Sequence, residues 1–114
     1  PFVLLSDGGI RNGYTVKILN KRHEPRRIAL VVSGLPSAKV AIVGLEAADP
    51  PSVLVATDAL QELRVYVTVP PNEAKALSEA STTFALIARD LDAKSDVTRK
   101  TSFQRPVSNQ AGTR

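Results

Sequence analysis

Short segments in which apolar and polar residues alternate recur along this chain, and residues that favour turns separate them. The clearest segment is "LRVYVTVPP", whose alternate apolar residues are Leu63, Val65, Val67 and Val69. A period of two places successive side chains on opposite faces of a β-strand. Regular repetition of such segments, with turns between them, is typical of a β-sandwich or β-barrel. The sequence therefore predicts an all-β fold.

Seven or eight strands are predicted, within residues 2–5, 14–18, 26–34, 38–45, 53–56, 63–69, 82–90 and 97–103. That number in about a hundred residues predicts an immunoglobulin-like antiparallel β-sandwich, with an eight-stranded barrel as the alternative. The strands at 14–18 and 26–34 are expected to form an antiparallel hairpin. Residues 53–56 are expected at a sheet edge, and the residues after Pro70 in a single helical turn.

A length of 114 residues is that of one domain, which we assign to residues 1–106. Residues 107–114 lack an apolar pattern and are expected to form a flexible tail. No segment has the apolar length of a membrane-spanning helix, and none at the start has the pattern of a signal peptide. A chain that begins at Pro1 without a methionine is expected to be a fragment.

The opening segment "SDGGIRNGYTVKILNK" contains two pairs of residues that favour tight turns, Asp7-Gly8 and Asn12-Gly13. A phosphate-binding loop would need its glycines before a helix and at a different spacing, whereas a strand follows here. The segment is therefore predicted to be a structural turn motif, formed by Asp7, Gly8, Arg11, Asn12, Gly13 and Tyr14. The Asp7 carboxylate is expected to accept backbone N–H groups in the first turn.

The densest run of positive charge is "NKRHEPRR", in which Lys21, Arg22, Arg26 and Arg27 form a candidate interaction patch. The sequence favours a solvated hairpin tip over a dedicated contact with an anion or a lipid headgroup. Acidic and basic residues are mixed along the rest of the chain, and the formal net charge is only +4. Nucleic-acid binding is therefore not expected.

Candidate residues for catalysis or metal binding are scarce, because the chain has one histidine, His23, and no cysteine. The absence of cysteine excludes disulfides, thiolate metal sites and iron–sulfur ligation within these residues. Asp90 and Asp92 lack the further oxygen ligands of a calcium site and are interpreted as turn acids. We therefore expect a domain that is not an enzyme, has no catalytic, cofactor-binding or metal-binding residue, and takes no small-molecule ligand.

The opening segment also carries a family resemblance. Leu5–Lys17 resembles the L-S-D-G-x-I-R-N-G-Y-x-x-K stretch of the C-terminal immunoglobulin-like domain of the FixG/CcoG family, with Gly9 where serine is common. These are the cytochrome c oxidase accessory proteins, also called nitrogen fixation FixG proteins. Further similarity lies in "SGLP", in "RVYVTVPP" and in "TSFQRP", where Arg105 replaces a glycine of the family pattern.

The resemblance implies a piece of a larger membrane-bound polyferredoxin, with this domain on the periplasmic side of the bacterial inner membrane. The iron–sulfur clusters would lie elsewhere in that parent protein, which serves assembly of the cbb-type cytochrome c oxidase and its supply of copper. The domain would then be a non-catalytic interaction module. Its expected partners are oxidase assembly factors or the parent's own membrane region, and it would meet the membrane through the parent.

Two alternatives compete with the interaction module. A domain that itself holds copper would need methionine, histidine or cysteine ligands, and one histidine without sulfur argues against it. A free-standing adhesion or carbohydrate-binding module would need aromatic side chains for stacking, and only 4% of the residues are aromatic.

Overall fold

The computed structural model describes residues 2–106, in which eight strands and one short helix are found. In chain order these are β1 (Phe2–Leu4), β2 (Ile10–Leu19), β3 (Arg26–Ser33), β4 (Lys39–Ile42), β5 (Ser52–Val55), β6 (Leu60–Val69), α1 (Pro71–Ala76), β7 (Ser81–Asp90) and β8 (Ser95–Gln104). The all-β prediction is confirmed, and so is the helical turn after Pro70. The tail expected at residues 107–114 lies outside the described residues.

The strands form two four-stranded antiparallel sheets, ordered β1-β2-β6-β4 and β5-β3-β7-β8. Within residues 2–106 no strand of one sheet pairs with a strand of the other, so the molecule is a sandwich rather than a closed barrel. β5 lies at a sheet edge, as predicted. The helix α1 has six residues, and no helix in the described part of the chain is long and apolar enough to cross a membrane.

The predicted hairpin between the second and third strands is wrong. β2 pairs with β6 along its whole length, from Ile10↔Val69 to Leu19↔Leu60, while β3 pairs with β5 and β7. The basic segment 20–25 therefore carries the chain from one sheet to the other. Both strands have a mostly apolar face, interrupted in β2 by Asn12, and placing them in opposite sheets lets those faces meet across the core.

The core lies between the sheets and is built from the apolar faces that the alternation predicts. All four alternate apolar residues of β6, Leu63, Val65, Val67 and Val69, are buried. Phe84 packs edge-to-face against Tyr14 and Phe103, with ring centroids 5.7 and 6.4 Å away. The core is uneven along β8, because Phe103 is fully buried whereas every residue of the strand from Ser95 to Lys100 is exposed.

Candidate interaction surface

The first glycine pair forms the turn between β1 and β2. Gly8 has a φ of +95°, a conformation that side-chain-bearing residues rarely adopt. The Asp7 Oδ1 accepts a hydrogen bond of 2.8 Å from the Gly9 N–H. Backbone hydrogen bonds between Leu5 and Gly9 and between Gly8 and Leu5 complete the turn.

The second turn expected at Asn12-Gly13 does not form, because Arg11, Asn12, Gly13 and Tyr14 all lie inside β2. Gly13 is not among the glycines with positive φ. The Arg11 guanidinium carbon lies 4.5 Å from the centre of the Tyr66 ring on the next strand. The preference of Asn12-Gly13 for a turn is thus outweighed by the pairing of ten residues of β2 with β6.

Asn12 and Tyr14 join the two sheets along one side of the sandwich. The Asn12 Nδ2 donates to the Gln104 carbonyl at 3.0 Å, and the Gln104 N–H donates to the Asn12 Oδ1 at 2.8 Å. The Tyr14 hydroxyl donates to the Ser102 carbonyl at 2.8 Å, and burial raises the pKa of Tyr14 to about 12. We call these contacts between β2 and β8 the sheet bridge.

Beyond the sheet bridge, β2 and β8 separate and leave a groove of about 670 Å³ between the sheets, which we call the lateral groove. Its apolar lining comes from both sheets and includes Val16, Ile18, Leu30, Leu86 and Ala88. Tyr14 lies at its closed end, and the exposed Val97 and Arg99 of β8 lie along one wall. One flank of the sandwich is therefore open.

Each wall of the lateral groove is an uncovered strand edge. β1 covers β2 only at Ile10–Asn12, and no described residue pairs with residues 15–19 on that side. The Asn20 N–H donates to the Ala59 carbonyl just before β6, so the even-numbered residues of β2 direct their backbone groups toward β6. Because the direction alternates along an antiparallel strand, the backbone groups of Thr15 and Lys17 point the other way, toward the groove. The same alternation turns the backbone groups of Thr98 and Lys100 in β8 outward, because the Arg105 N–H donates to Ala80 on the β7 side.

The four residues of the basic patch separate into different environments. Lys21 and Arg22 are exposed and line the open end of the lateral groove. Arg27 also is exposed, but it lies opposite Leu54 of β5 and does not line the groove.

Arg26 is mostly buried, with 11% of its side chain exposed, and its charge is neutralised. Its Nε lies 2.9 Å from the Asp90 Oδ2, and its Nη1 lies 3.1 Å from the Glu24 Oε1. Asp90 also accepts the N–H groups of Asp92 and Ala93, each at 2.9 Å. The hydrogen bond from Ala93 and then the one from Arg26 hold the pKa of Asp90 below its usual 3.8.

Asn20 fixes the basic segment and was not singled out by the sequence. The residue is 5% exposed, and its side-chain amide donates toward the carbonyls of Glu24, Val55 and Ala56 at 2.9–3.2 Å. Its Oδ1 accepts the Arg22 N–H at 3.0 Å. The signal was present in the periodicity, because Asn12 in β2 and Asn20, the residue directly after β2, continue the even-numbered, inward positions of Val16.

Residues capable of catalysis or metal binding do not come together in the described part of the chain. His23 is exposed and lies 3.8 Å from Asp58, which is a long contact between two solvated groups. No three His, Asp or Glu side chains within residues 2–106 are placed to hold one metal ion. The lateral groove and its basic end are thus the main structural candidate for an interaction.

Residues 1–106 match the family model described as "IG-like fold at C-terminal of FixG", a description that provisionally classes FixG as an oxidoreductase. The nitrogen fixation protein FixG of Rhizobium meliloti is 40% identical over 91 residues, which are 78% of this chain and 17% of that protein. Protein RdxA of Cereibacter sphaeroides is 41% identical over 69 residues, which are 60% of this chain and 14% of that protein. The chain spans less than a fifth of either curated relative.

A solved structure shares the fold. The crystal structure of a FixG-related protein from Vibrio parahaemolyticus matches with a TM-score of 0.67 at 23% identity. The match covers 86% of this chain and 81% of that chain. It therefore extends over most of the sandwich.

Proposed function

This chain belongs to the family of C-terminal immunoglobulin-like domains of FixG, and on that premise we propose that it is a non-catalytic interaction domain of a membrane-bound iron–sulfur protein. The resemblance noted at Leu5–Lys17 is confirmed by the match over residues 1–106. That match is the observation that carries the proposal. The chain contains no cysteine, so any iron–sulfur clusters of the parent are bound by other parts of it.

The residues of this domain support a binding role for it, and they favour other parts of the parent protein as the location of the redox chemistry. Its described residues offer an open groove and a basic loop, which suit binding, and hold no cluster of metal ligands. Oxidation and reduction by the parent would take place in its cluster-binding region. This domain would contact oxidase assembly factors or the parent's own membrane region, in the service of cbb-type oxidase assembly and copper supply.

A domain deletion in a bacterium that depends on its FixG-like protein tests this role. The residues corresponding to 1–106 are removed from the parent, and its iron–sulfur clusters are measured in membranes by electron paramagnetic resonance. We expect the clusters to remain and assembly of the cbb-type oxidase to fall. Loss of the clusters together with the domain, or normal oxidase assembly without it, would contradict the proposal.

We propose further that the domain faces the periplasm. Protease treatment of spheroplasts is expected to remove it from the parent, whereas inverted membrane vesicles should protect it. The opposite pattern would place the domain on the cytoplasmic side.

A further inference from the structure

We propose that the lateral groove binds an extended acidic segment of a partner protein, which adds a strand between the edges of β2 and β8. The inference rests on the interaction role proposed above and names the surface and the chemistry of the partner. Three features of the groove carry it: its charge, its unpaired backbone edges and its apolar floor.

The charge of the groove favours an acidic ligand. Its lining contains five basic residues and one acidic residue, Asp90. Asp90 is already bound to Arg26, so that ion pair contributes little net charge. Lys21, Arg22 and Arg99 form no ion pair with any residue from 2 to 106. These three cations lie around an apolar floor, where a carboxylate would meet less competition from water than on an open surface.

The backbone favours a peptide over a lipid. Both walls present N–H and C=O groups that no described strand pairs with, at Thr15 and Lys17 of β2 and at Thr98 and Lys100 of β8. An acyl chain would fill the apolar floor but would leave these groups without hydrogen bonds, apart from the Thr98 carbonyl, which the Arg99 side chain contacts at 3.1 Å. An extended peptide satisfies them, which is the recognition mode known as β-strand addition.

The geometry fits a short strand with alternating side chains. The free edge of β2 is about five residues long, or about 17 Å. Asn12 contacts Gln104 and Tyr14 contacts Ser102, so β2 and β8 run in opposite directions. An inserted strand would therefore be antiparallel to one wall and parallel to the other. Its apolar side chains would face Val16 and Leu86, and its acidic side chains would lie at the mouth of the groove, where the long side chains of Arg22 and Arg99 line it.

Synthetic peptides test the proposal with the chain itself. The probes are a peptide that alternates valine with glutamate, a matched peptide that alternates valine with lysine, and the acidic peptide with N-methylated backbone amides. Binding is followed by ¹H–¹⁵N spectra of the labelled protein. We expect the acidic peptide to shift the amides of 15–19 and of Thr98 and Lys100. We expect the other two to bind at least about tenfold more weakly.

Two charge-reversal variants provide a matched pair. Arg99→Glu, in the groove wall, is expected to weaken binding of the acidic peptide by at least about fivefold, and added salt should reduce the difference. Arg27→Glu makes the same change outside the groove and should alter binding by less than about twofold. Equal effects of the two variants, equal binding of acidic and basic peptides, or shifts elsewhere on the protein would overturn the proposal.

The same experiments would also reveal either of two other occupants of the groove, a lipid surface or a segment of the parent protein. Displacement of the acidic peptide by phosphatidylglycerol vesicles, with full binding of the N-methylated peptide, would assign the groove to a lipid surface. Protection of the 15–19 amides in a longer fragment of the parent, without peptide binding, would assign it to the parent's own neighbouring segment. Either result overturns the partner peptide but leaves the interaction role standing, because the domain deletion tests that role separately.

Discussion

The buried side chain of Asn12 shows how a single residue can hold the two sheets of this sandwich together. Asn12 is 2% exposed, and its amide is the hydrogen-bonding partner of both the N–H and the C=O of Gln104. Asn12→Leu would leave both backbone groups buried and unpaired, and we expect the free energy of unfolding to fall by about 2–4 kcal/mol. Urea denaturation measures it. The same exchange at the exposed Asn72 should cost less than about 0.5 kcal/mol, and equal losses would contradict the bridging role.

The two glycine pairs of the opening segment are expected to respond differently to alanine. Gly8 has a φ of +95°, so Gly8→Ala should lower the free energy of unfolding by about 1 kcal/mol or more. At Gly13 a Cβ would meet the end of the Arg64 side chain at 2.6 Å, and that flexible group has room to move. Gly13→Ala should therefore be neutral or stabilising by up to about 1 kcal/mol. A large loss of stability at Gly13 would favour the turn that the sequence predicted there.

Asp90 gives the molecule a pH dependence of definite sign. Its pKa in the folded protein lies below the usual 3.8, because backbone N–H groups and Arg26 stabilise the carboxylate. The resulting stabilisation is fully present above pH 3.8 and is lost as the pH falls through the folded-state pKa. We expect Asp90→Asn to lower the melting temperature at pH 7, and we expect its melting temperature to lie closer to that of the unsubstituted domain below pH 3.8. A difference that is constant from pH 7 to pH 3 would contradict this account.

At the level of whole strands, the main correction concerns the partner of β2, and a pair of cysteines can test it because the chain has none of its own. Thr15 and Arg64 are exposed Cα partners in β2 and β6, with their backbone groups turned away from each other. Such pairs have a short Cα separation that suits a disulfide.

We expect Thr15→Cys/Arg64→Cys to oxidise completely and to raise the free energy of unfolding by about 2–4 kcal/mol. Lys17→Cys/Arg27→Cys, which would join β2 to β3, should remain reduced in the folded protein because these strands belong to different sheets. Thiol counting under native conditions distinguishes the two. Efficient oxidation of the second pair would support the hairpin that the sequence predicted.

The sequence predicted the strands better than their pairing, for a physical reason. The period of two determines which side chains of β6 and β7 face inward, and Val65, Val67 and Phe84 are buried accordingly. The same period is satisfied whether β2 pairs with β3 or crosses to the other sheet, so it could not separate these topologies. The lateral groove was likewise beyond prediction, because it depends on β1 covering only three residues of β2.

For the whole molecule, the important asymmetry is between the two ends of the flank formed by β2 and β8. The sheet bridge joins the sheets at one end through Asn12 and Tyr14. At the other end the same two strands enclose the lateral groove, next to the loop that Asn20 holds in place. The domain therefore presents two open strand edges on one flank, which is the arrangement that the proposed binding of an extended segment requires.

Hydrogen exchange should show this asymmetry directly. In β2 the amides of Val16 and Ile18 face β6, whereas those of Thr15 and Lys17 face the groove, as the ladder alternation requires. We expect Val16 and Ile18 to exchange at least about tenfold more slowly than Thr15 and Lys17.

Tyr66 and Val67 of β6 provide the internal control for this pattern. β6 is paired with β2 on one side and with β4 on the other at these positions, so both consecutive amides should be protected. Alternating protection in β2 beside continuous protection in β6 would establish a free strand edge in the isolated chain. Uniform protection along β2 would mean that a second copy or another part of the chain already covers that edge, and the groove would not be available to a partner.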